Sequence, residues 1–502
     1  MPRNTRVRRS RGGRWAALAV LVLGLAVYLG SFVVSYGDLF RRDDPLLAMD
    51  VARLAPARVA RVDEARGTEQ LHAVLRDARQ RGLKVSISGS RHSQGGHTYR
   101  PGGVVLNMRT FNRIHRIDTA GPRITVESGA TWDEVQRAIA PRGLAIKVMQ
   151  SSNIFTVGGT LSANAHGRDV DVMQVVDVVE RFRLLLANGR VVEVSRAQNP
   201  ELFSLVIGGY GLYGVILDVT LKLTRDELYE QRAESVDYTE FPAWFTRRVK
   251  ADSDVVLMLA RPSIDPDPDE FLKEMVAVTW RRVHDGRTAP LGLTEEEHVL
   301  RDRFFFGLSR RFDWAKSFRW WLQKRVELGA GATRVVSRNN AMRPPLAPLE
   351  LLDYRSSKDT DIIQEYYVPV ESFVPFMDDF RAILLEGDMN VLSSTVRYVK
   401  PNATPALAYA PDKDVFAIIQ MSNVGLSREA QAQTADVTRR LVDAAIQHGG
   451  TYYLTYQLYP TPEQLHRAYR KAGWAFERKR FYDPGELFSS QFYERYGHSQ
   501  PR

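Results

Sequence analysis

A short alternating strand followed by a loop of glycine and serine constrains this chain more than any other stretch. The strand Val85–Ser88 leads into Gly89-Ser90-Arg91-His92-Ser93-Gln94-Gly95-Gly96, and a second glycine pair opens the run Gly102–Met108. Glycine and serine let a backbone approach a ligand closely and turn successive N–H groups toward it. The stretch therefore predicts a pyrophosphate-binding loop with His92 at its rim.

Composition excludes several kinds of chemistry. The 502 residues include no Cys, which rules out disulfides, thiolate zinc sites, iron–sulfur clusters, Cys nucleophiles and cofactors attached through Cys. The length is enough for roughly three domains of about 150 residues each. The net charge of +10 does not indicate nucleic acid, because six arginines precede residue 15 and no recognition module accompanies them.

The N-terminal segment is typical of a membrane anchor. Residues 15–36 carry no charge and can cross about 30 Å of hydrocarbon as a helix, with aromatic residues at both ends. The basic tail, residues 1–14, predicts a cytoplasmic N-terminus in an inner membrane and the bulk of the chain on the periplasmic or outer face. A cleaved signal peptide stays open, since Arg8-Arg9 loosely resembles a twin-arginine signal. The long apolar run, without a small-residue cleavage site, favours the anchor.

The segment after the anchor alternates helices and strands. Thr68 is expected to cap a helix that Gly82 ends. Thr131 and Glu134 form a capping-box pattern at the start of another helix. Asn188-Gly189 between two β-rich runs predicts a hairpin.

A glycine pattern further along the chain is misleading. Gly209, Gly211 and Gly214 match the Gly-x-Gly-x-x-Gly of dinucleotide-binding folds, but a helix-like run precedes them and the strand-like run Val215–Leu223 follows. That fingerprint needs a strand before the glycines and a helix after them. The Rossmann interpretation is therefore excluded.

Four motifs occur in a fixed order along the chain. They are the loop at 89–96 with its partner at 102–108, and the runs Thr156–Gly167, Gly208–Val219 and Lys479–Phe488. Together they resemble the vanillyl-alcohol oxidase/p-cresol methylhydroxylase superfamily of FAD-linked oxidases. The first loop is most similar to those of cytokinin dehydrogenases and of alditol and sugar-lactone oxidases, and decaprenylphosphoryl-ribose oxidase is also close in motif.

This resemblance implies a fold class and its boundaries. It implies an α+β protein with a two-subdomain FAD-binding fold over residues 55–226. A cap domain with an antiparallel sheet is expected over residues 227–440, and a C-terminal segment, residues 441–502, is expected to return to the FAD domain. The transmembrane anchor at residues 15–36 and a linker at residues 37–54 would precede them.

The resemblance also implies which residues hold FAD, and it implies no metal. His92 is expected to bond covalently to the 8α-methyl carbon of the flavin, with a hydrogen bond alone as the alternative. His97 lies at the wrong distance from the run at 104–108 and is expected to be a loop residue, while His166 is expected to be a packed neighbour of the flavin. The implied FAD-binding residues are Ser88, Gly89, Ser90, Arg91, His92, Ser93, Gly96, Gly129, Thr156, Gly158, Gly159, Ser162, Ala163, His166, Gly167, Gly214, Ile216 and Lys479.

The substrate site is marked less clearly. Cap strands of the similar enzymes carry substrate-binding side chains, which makes Gln364 and Arg397 candidates. Those enzymes have a Lys before the final helix where this chain has Tyr456. A phenol with a pKa of about 10 is a poor base unless a cation lowers that pKa, so Lys400 or Arg397 is expected beside Tyr456. The segment 310–325 mixes cations with aromatic residues, and it either covers the core or lies on a membrane surface.

The resemblance predicts a membrane-anchored FAD-dependent oxidoreductase. It would oxidise an alcohol CH–OH of a sugar, polyol or lipid-linked glycan by hydride transfer to flavin N5, with oxygen or a quinone as the electron acceptor. Two alternatives stay open, and the departure at Tyr456 favours only the second. One is a C=C reductase of the sterol-reductase type, and the other is a non-catalytic flavin-fold scaffold of the cell envelope.

Overall fold

The computed structural model describes residues 11–36, 44–172, 174–297, 299–329, 333–343 and 354–498. Of residues 11–14, 16, 17 and 36 it describes the backbone alone. Residues 1–10 and 37–43, which hold most of the predicted basic tail and the start of the predicted linker, lie outside the described residues. The described chain mixes helices with antiparallel and parallel sheets, which confirms the predicted α+β class.

Helices and strands alternate through the first half of the chain and again in the cap. The α-helices of the described residues are α1 (Arg11–Tyr36), α2 (Thr68–Gln80), α3 (Trp132–Ile139), α4 (Val157–Ala163), α5 (Pro200–Val206), α6 (Phe241–Phe245), α7 (Val299–Ser309), α8 (Asp313–Glu327), α9 (Arg338–Ala341), α10 (Phe373–Glu386), α11 (Arg428–Gln447), α12 (Pro462–Ala468), α13 (Ala472–Tyr482) and α14 (Gln491–Tyr496). The strands are β1 (Leu47–Ala48), β2 (Ala57–Arg58), β3 (Arg61–Glu64), β4 (Val85–Ser88), β5 (Val104–Asn107), β6 (Ile114–Asp118), β7 (Arg123–Glu127), β8 (Leu144–Ile146), β9 (Val179–Leu185), β10 (Val191–Ser195), β11 (Val215–Arg225), β12 (Leu228–Asp237), β13 (Val255–Pro262), β14 (Glu274–Arg282), β15 (Arg334–Ser337), β16 (Asp359–Pro369), β17 (Asn390–Val399), β18 (Val415–Gly425) and β19 (Thr451–Tyr452).

A parallel sheet with the order β3-β5-β4 ends at the glycine loop. β4 and β5 lie in parallel register, and α2 buries Leu71 and Leu75 in the same core. The C-terminal segment also contacts this sheet, because the Val85 N–H donates to the carbonyl of Leu487 at 2.7 Å. The C-terminal segment therefore helps to hold the strand from which the loop emerges.

Two larger antiparallel sheets build the rest of the fold. The first has the order β10-β9-β11-β7-β6, with β8 paired to β11. The second has the order β15-β12-β14-β13-β17-β18-β16-β19 and is formed by the cap and the start of the C-terminal segment. The predicted antiparallel cap sheet is thus confirmed. One apolar core cluster runs through both sheets.

The backbone tests the local predictions directly. Thr131 and Glu134 form the complete capping box of α3, and Asn188-Gly189 joins the antiparallel hairpin β9–β10. The strand β11 follows Gly214, as expected for a pattern that is not a dinucleotide fingerprint. Thr68 is not the cap of α2: Gly67 holds that position, and Thr68 begins the helix.

Part of the predicted linker packs against the loop. β1 pairs with β2, and Ala52 is fully buried. The carboxylate of Asp50 accepts the N–H of Gly96 at 3.0 Å, which fixes the far end of the glycine loop. Burial raises the pKa of Asp50 to about 6, although several hydrogen bonds oppose the rise. Ala52 packs against Ile362 and Val424 of the cap, so the described residues of this segment contact both the FAD loop and the cap.

The helix α1 is long and apolar enough to cross a membrane by its length and composition. The apolar stretch is Leu18–Ser35, of which 6% is buried against the rest of the described chain. An apolar helix with so little protein around it has its side chains exposed.

Candidate active site

A cavity of about 420 Å³ lies where the glycine loop meets the cap sheet. The loop after β4 and the helix α4 line one side of it. Side chains of the cap strands β13, β16, β17 and β18 line the other, together with Tyr453 and Tyr456 from the C-terminal segment. A pocket between a cofactor-type loop and a second domain is the usual place for a ligand site.

The loop presents a row of backbone donors to this cavity. The N–H groups of residues 89 to 93 have no acceptor within the described chain, and the side-chain oxygens of Ser88 and Ser93 are buried without a partner. Arg91 adopts a positive φ of 56°, which turns the backbone back on itself. Successive free N–H groups of this kind bind phosphate oxygens. The loop therefore fits the pyrophosphate of a dinucleotide such as FAD.

Gly89 is required by close packing within the loop. A Cβ atom at this position would lie 2.1 Å from the Oγ1 of Thr156. Thr156 cannot move away easily, because its Oγ1 caps α4 by accepting the N–H of Gly159 at 3.2 Å. The loop and the start of α4 thus approach each other more closely than any side chain allows.

His92 and His97 both line the cavity, but their surroundings differ. The Nε2 atom of His97 lies 2.6 Å from the carbonyl of Leu454, and its ring stacks on Phe492. The Nε2 of His92 is buried without a partner, and its ring meets Phe155 edge to face at 4.5 Å. Burial lowers the pKa of each histidine to about 4. Both imidazoles are therefore neutral near pH 7, and that of His92 has its Nε2 unused.

Most of the implied FAD-binding residues lie on the cavity wall. Those on the wall are Ser88, Gly89, Ser90, Arg91, His92, Ser93, Thr156, Gly158, Gly159, Ser162, Ala163, His166, Gly214 and Ile216. Four others lie behind it. A Cβ at Gly129 would be 1.7 Å from the carbonyl of Met108, and one at Gly167 would be 2.8 Å from that of Met149, so these two glycines permit close backbone packing. Gly96 is held by Asp50, and Lys479 is fully buried in an ion pair with Asp483.

A buried carboxylate, Glu365, lies at the cap side of the cavity. Its Oε1 is 2.5 Å from the Nε2 of His166, and its Oε2 accepts the hydroxyl of Tyr456 at 3.2 Å. Burial alone would raise the pKa of Glu365, but its interactions with His166 and Arg397 outweigh burial and lower the pKa. Glu365 is therefore a charged acceptor in a site that excludes bulk water.

Tyr456 lies in the cavity, and of the two cations expected beside it Arg397 acts on it, whereas Lys400 contacts Asp171 outside the cavity. Burial and the negative charge of Glu365 raise its pKa well above 10, and Arg397 opposes the rise only in part. Tyr456 is thus a protonated donor, and the pKa lowering by a neighbouring cation that a base at this position would need does not occur. Its neighbour Glu365 is ionised and accepts the Tyr456 hydroxyl, so it can take a proton, but its lowered pKa makes it a weaker base than an ordinary carboxylate.

Three further predictions concern the cap strands. Arg397 lines the cavity and donates to the hydroxyl of Ser151, while its Nε is buried without a partner. Lys400 lies outside the cavity, where its ammonium contacts Asp171 at 3.0 Å. Gln364 also lies outside, because side chains alternate along β16 and its neighbours Ile363 and Glu365 face the cavity.

Besides Arg397, two cations on the cavity wall were not predicted from the sequence: Arg168 and Arg261. Arg168 is buried, donates to the carbonyl of Ala341 and lies over the ring of Trp280 at 5.2 Å. Arg261 pairs with Glu327 at 2.9 Å. Burial and the charges of Arg397 and Arg261 lower the pKa of Arg168 to about 9. Arg168 could have been found from the sequence, because it directly follows the motif that ends in Gly167. Glu365, which was also not predicted, is the neighbour of the predicted Gln364.

Comparison with known proteins identifies the part of the chain that carries the loop. Residues 59–195 match the FAD binding domain family. This segment is an FAD binding domain. FAD is therefore the cofactor, and the predicted resemblance is confirmed. The free N–H groups at 89–93 lie inside the matched range.

Relatives of the whole chain and of this domain are oxidases and dehydrogenases. Decaprenylphosphoryl-β-D-ribose oxidase of Mycolicibacterium smegmatis is 24% identical over 455 residues, which cover 85% of this chain and 92% of that protein. L-Gulonolactone oxidase of Bos taurus is 30% identical over 31% of this chain and 35% of its own length. Cytokinin dehydrogenase 10 of Oryza sativa is 31% identical over 28% of this chain and 27% of its own length. With its FAD binding domain, the chain is an FAD-dependent oxidoreductase.

Proposed function

We propose that the chain is a membrane-anchored FAD-dependent oxidase or dehydrogenase that oxidises an alcohol group of a sugar, polyol or lipid-linked glycan. The observation that carries this proposal is Glu365, a buried and charged carboxylate on the cavity wall opposite the FAD-binding loop. Alcohol oxidation needs a group that takes the hydroxyl proton at the moment the carbon loses its hydride. Among the described residues on the cavity wall, Glu365 is the carboxylate that can take this proton.

In the proposed reaction the cofactor accepts the hydride and the protein accepts the proton. FAD, when bound, supplies the acceptor for the hydride and its two electrons. The N–H groups of residues 89 to 93 hold the pyrophosphate, as their lack of other acceptors supports. The substrate CH–OH loses its C–H hydride and its O–H proton and becomes a C=O group. The chain has to accept only that proton.

Glu365 takes the proton at Oε2, directly or through the hydroxyl of Tyr456, which lies 3.2 Å away. His166 holds the other oxygen, Oε1, and so fixes the carboxylate against rotation. Arg397 places its guanidinium near both Glu365 and Tyr456. A cation there stabilises the negative charge that develops on the substrate oxygen as the proton leaves.

The names of the relatives support the substrate class. A relative that covers 85% of this chain is an oxidase of a decaprenylphosphoryl ribose, and another is an oxidase of L-gulonolactone. The arginines Arg168, Arg261 and Arg397 along the cap side suit a substrate rich in oxygen atoms. Both observations favour a sugar-derived alcohol over an apolar one.

We further propose that His92 holds the flavin covalently through its 8α-methyl carbon. A neutral imidazole with an unused nitrogen is the nucleophile that such a bond requires, and His92 is neutral with its Nε2 unpartnered. The Nε2 of His97 is held by the carbonyl of Leu454, but its Nδ1 is also buried without a partner. The preference for His92 over His97 therefore rests on its spacing from the run at 104–108.

The apolar helix α1 supports the anchoring part of the proposal. The arginines before it favour a cytoplasmic N-terminus in the inner membrane, with the FAD binding domain and the cap on the periplasmic or outer face. Oxygen and a membrane quinone both remain suitable electron acceptors for an enzyme in that position.

The experiment begins with the purified full-length chain in detergent. Its visible spectrum reports the flavin, and anaerobic addition of a panel of sugars, polyols and polyprenyl-phosphate-linked sugars reports hydride transfer as loss of that absorbance. Bleaching by a member of the panel is the expected result. A chain that purifies colourless and does not take up FAD would contradict the proposal. Reoxidation of dithionite-reduced flavin by an enone but no bleaching by any alcohol would favour the C=C reductase.

A further inference from the structure

The helix α8 exposes an aromatic stripe on one face. Trp314, Phe318 and Trp321 follow the i, i+4, i+7 spacing of a single helix face, and their exposed fractions are 60%, 45% and 51%. Trp320, on the opposite face, is buried at 4%. A helix normally turns its apolar side chains to the core, so a second apolar face directed outward has a role other than folding.

The stripe belongs to a wider set of exposed aromatic residues, here called the patch, which also includes one residue of α7 and one of the turn between the two helices. Phe305 of α7 and Phe312 of the turn are each more than two-fifths exposed, and Phe312 stacks on Trp314. At the other end of α8 the guanidinium of Arg325 lies over the ring of Trp321 at 5.7 Å. Exposed Trp and Phe beside a cation match the composition of helices that lie in the headgroup region of a bilayer.

The same helix pair contacts the apolar helix α1. The hydroxyl of Tyr28 donates to the carbonyl of Phe304 at 2.9 Å, and the rings of Tyr28 and Phe32 meet Phe304 edge to face. A Cβ at Gly307 would lie 2.7 Å from the Tyr28 oxygen, so the glycine allows the close approach of the two helices.

These contacts set the depth of α7 relative to α1. Tyr28 lies seven residues before Ser35, the end of the apolar stretch, which is about 10 Å along a helix axis. Interfacial helices bury their apolar face about 5–10 Å below the headgroups. If α1 crosses the membrane, α7 is therefore held at the level of the interface by its contact with α1.

We propose that α7 and α8 form a second membrane contact, in which the aromatic stripe lies in the outer interface of the phospholipid bilayer that α1 crosses. This inference rests on the membrane anchoring included in the proposed function. The occupant is a lipid surface, because the patch continues from an apolar helix of membrane-spanning length and ends in a cation suited to phosphate headgroups.

The contact also fixes the orientation of the active site. Arg310, at the end of α7, forms a fully buried ion pair with Asp361 of β16, the strand that carries Glu365. Phe306 of α7 belongs to the same apolar cluster as Met421, which lines the cavity. The interfacial helices and the wall of the active site are thus parts of one packed unit, and the cavity keeps a constant position relative to the lipid headgroups.

The absence of Cys in the chain allows a direct test. Phe318→Cys is labelled with an environment-sensitive fluorophore in the full-length holoenzyme, which is reconstituted into phosphatidylcholine–phosphatidylglycerol vesicles. Phe481→Cys is the matched control, since Phe481 is an exposed aromatic residue on α13, outside the patch. Val22→Cys in α1 reports the anchor separately. Flavin content checks that each variant is folded.

The probe at residue 318 is expected to be quenched by nitroxide-labelled lipids and protected from aqueous iodide, while the probe at residue 481 shows the reverse. Iodide quenching at residue 318 equal to that at residue 481 would overturn the proposal. Protection from iodide without quenching by lipids would also overturn it, since a protein surface would then cover the stripe. The probe at residue 22 separates the two claims: if lipids quench it while the probe at 318 stays in water, the anchor stands and the second contact fails. If lipids do not quench it, the anchor itself fails.

Discussion

At the scale of single residues, the loop histidines are the clearest test of the cofactor linkage. We expect the wild-type protein to retain flavin colour after acid precipitation and His92→Gln to release it, because the neutral His92 has a free Nε2. Mass spectrometry of the peptide containing His92 should show the added mass of FAD. His97→Gln is the matched control and should keep the flavin attached. Release of flavin from the acid-precipitated wild-type protein would contradict the covalent linkage.

Tyr456 gives a second prediction at this scale. Its raised pKa makes it a proton donor to Glu365 rather than a base, so Tyr456→Phe should slow anaerobic flavin reduction by about tenfold, less than the loss of a general base would cause. The rate of bleaching by the substrate measures this. Lys400→Gln should leave the rate unchanged, since Lys400 contacts Asp171 outside the cavity. If Tyr456→Phe were as slow as a variant without Glu365, the assignment of the base would be wrong.

At the scale of elements, the close approach of the loop to α4 should be sensitive to a single methyl group. Gly89→Ala would place a Cβ at 2.1 Å from Thr156, and overpacking of this kind costs about 1–3 kcal/mol. We expect the variant to purify with much less flavin. Gly67→Ala is the control, because no atom lies within 4 Å of the added Cβ. Equal flavin content in both variants would contradict the role given to Gly89.

Local sequence explains why some elements were predictable and others were not. The loop at 89–96, the capping box of α3 and the hairpin at 188–189 depend on neighbouring residues, so spacing alone predicted them. Glu365 acquires its role from His166, which is 199 positions away in the chain. Whether Gln364 or Glu365 faces the cavity depends on how β16 is registered against its neighbouring strands, and the sequence alone does not determine that register.

The aromatic stripe of α8 is a second case in which the sequence predicts which residues share a face but not the direction in which that face is turned. The spacing of Trp314, Phe318 and Trp321 predicts that they share a face, but it does not tell whether that face is turned to the core or outward. The packing of α8 settles the point, because Trp320 is buried while Trp314, Phe318 and Trp321 are exposed.

At the scale of the whole molecule, a buried histidine makes stability depend on pH. The unfolded chain binds a proton at His97 below a pH of about 6.5, whereas the folded chain does so only below about 4, so stability falls as the pH drops through that window. We expect a loss of about 2 kcal/mol between pH 7 and pH 5 from this group. Urea unfolding at the two pH values measures it. His97→Gln keeps a donor for Leu454 and should reduce the difference by this amount; an unchanged difference would refute the assignment.

The central claim is that Glu365 accepts the proton while the flavin accepts the hydride, and one rate tests it most directly. Glu365→Gln keeps the size and polarity of the side chain but cannot act as the base. In an anaerobic stopped-flow experiment with flavin-loaded protein and an alcohol that bleaches the wild type, we predict that Glu365→Gln bleaches about 100 to 10,000 times more slowly with the same flavin content. Bleaching by Glu365→Gln at the wild-type rate would contradict the account.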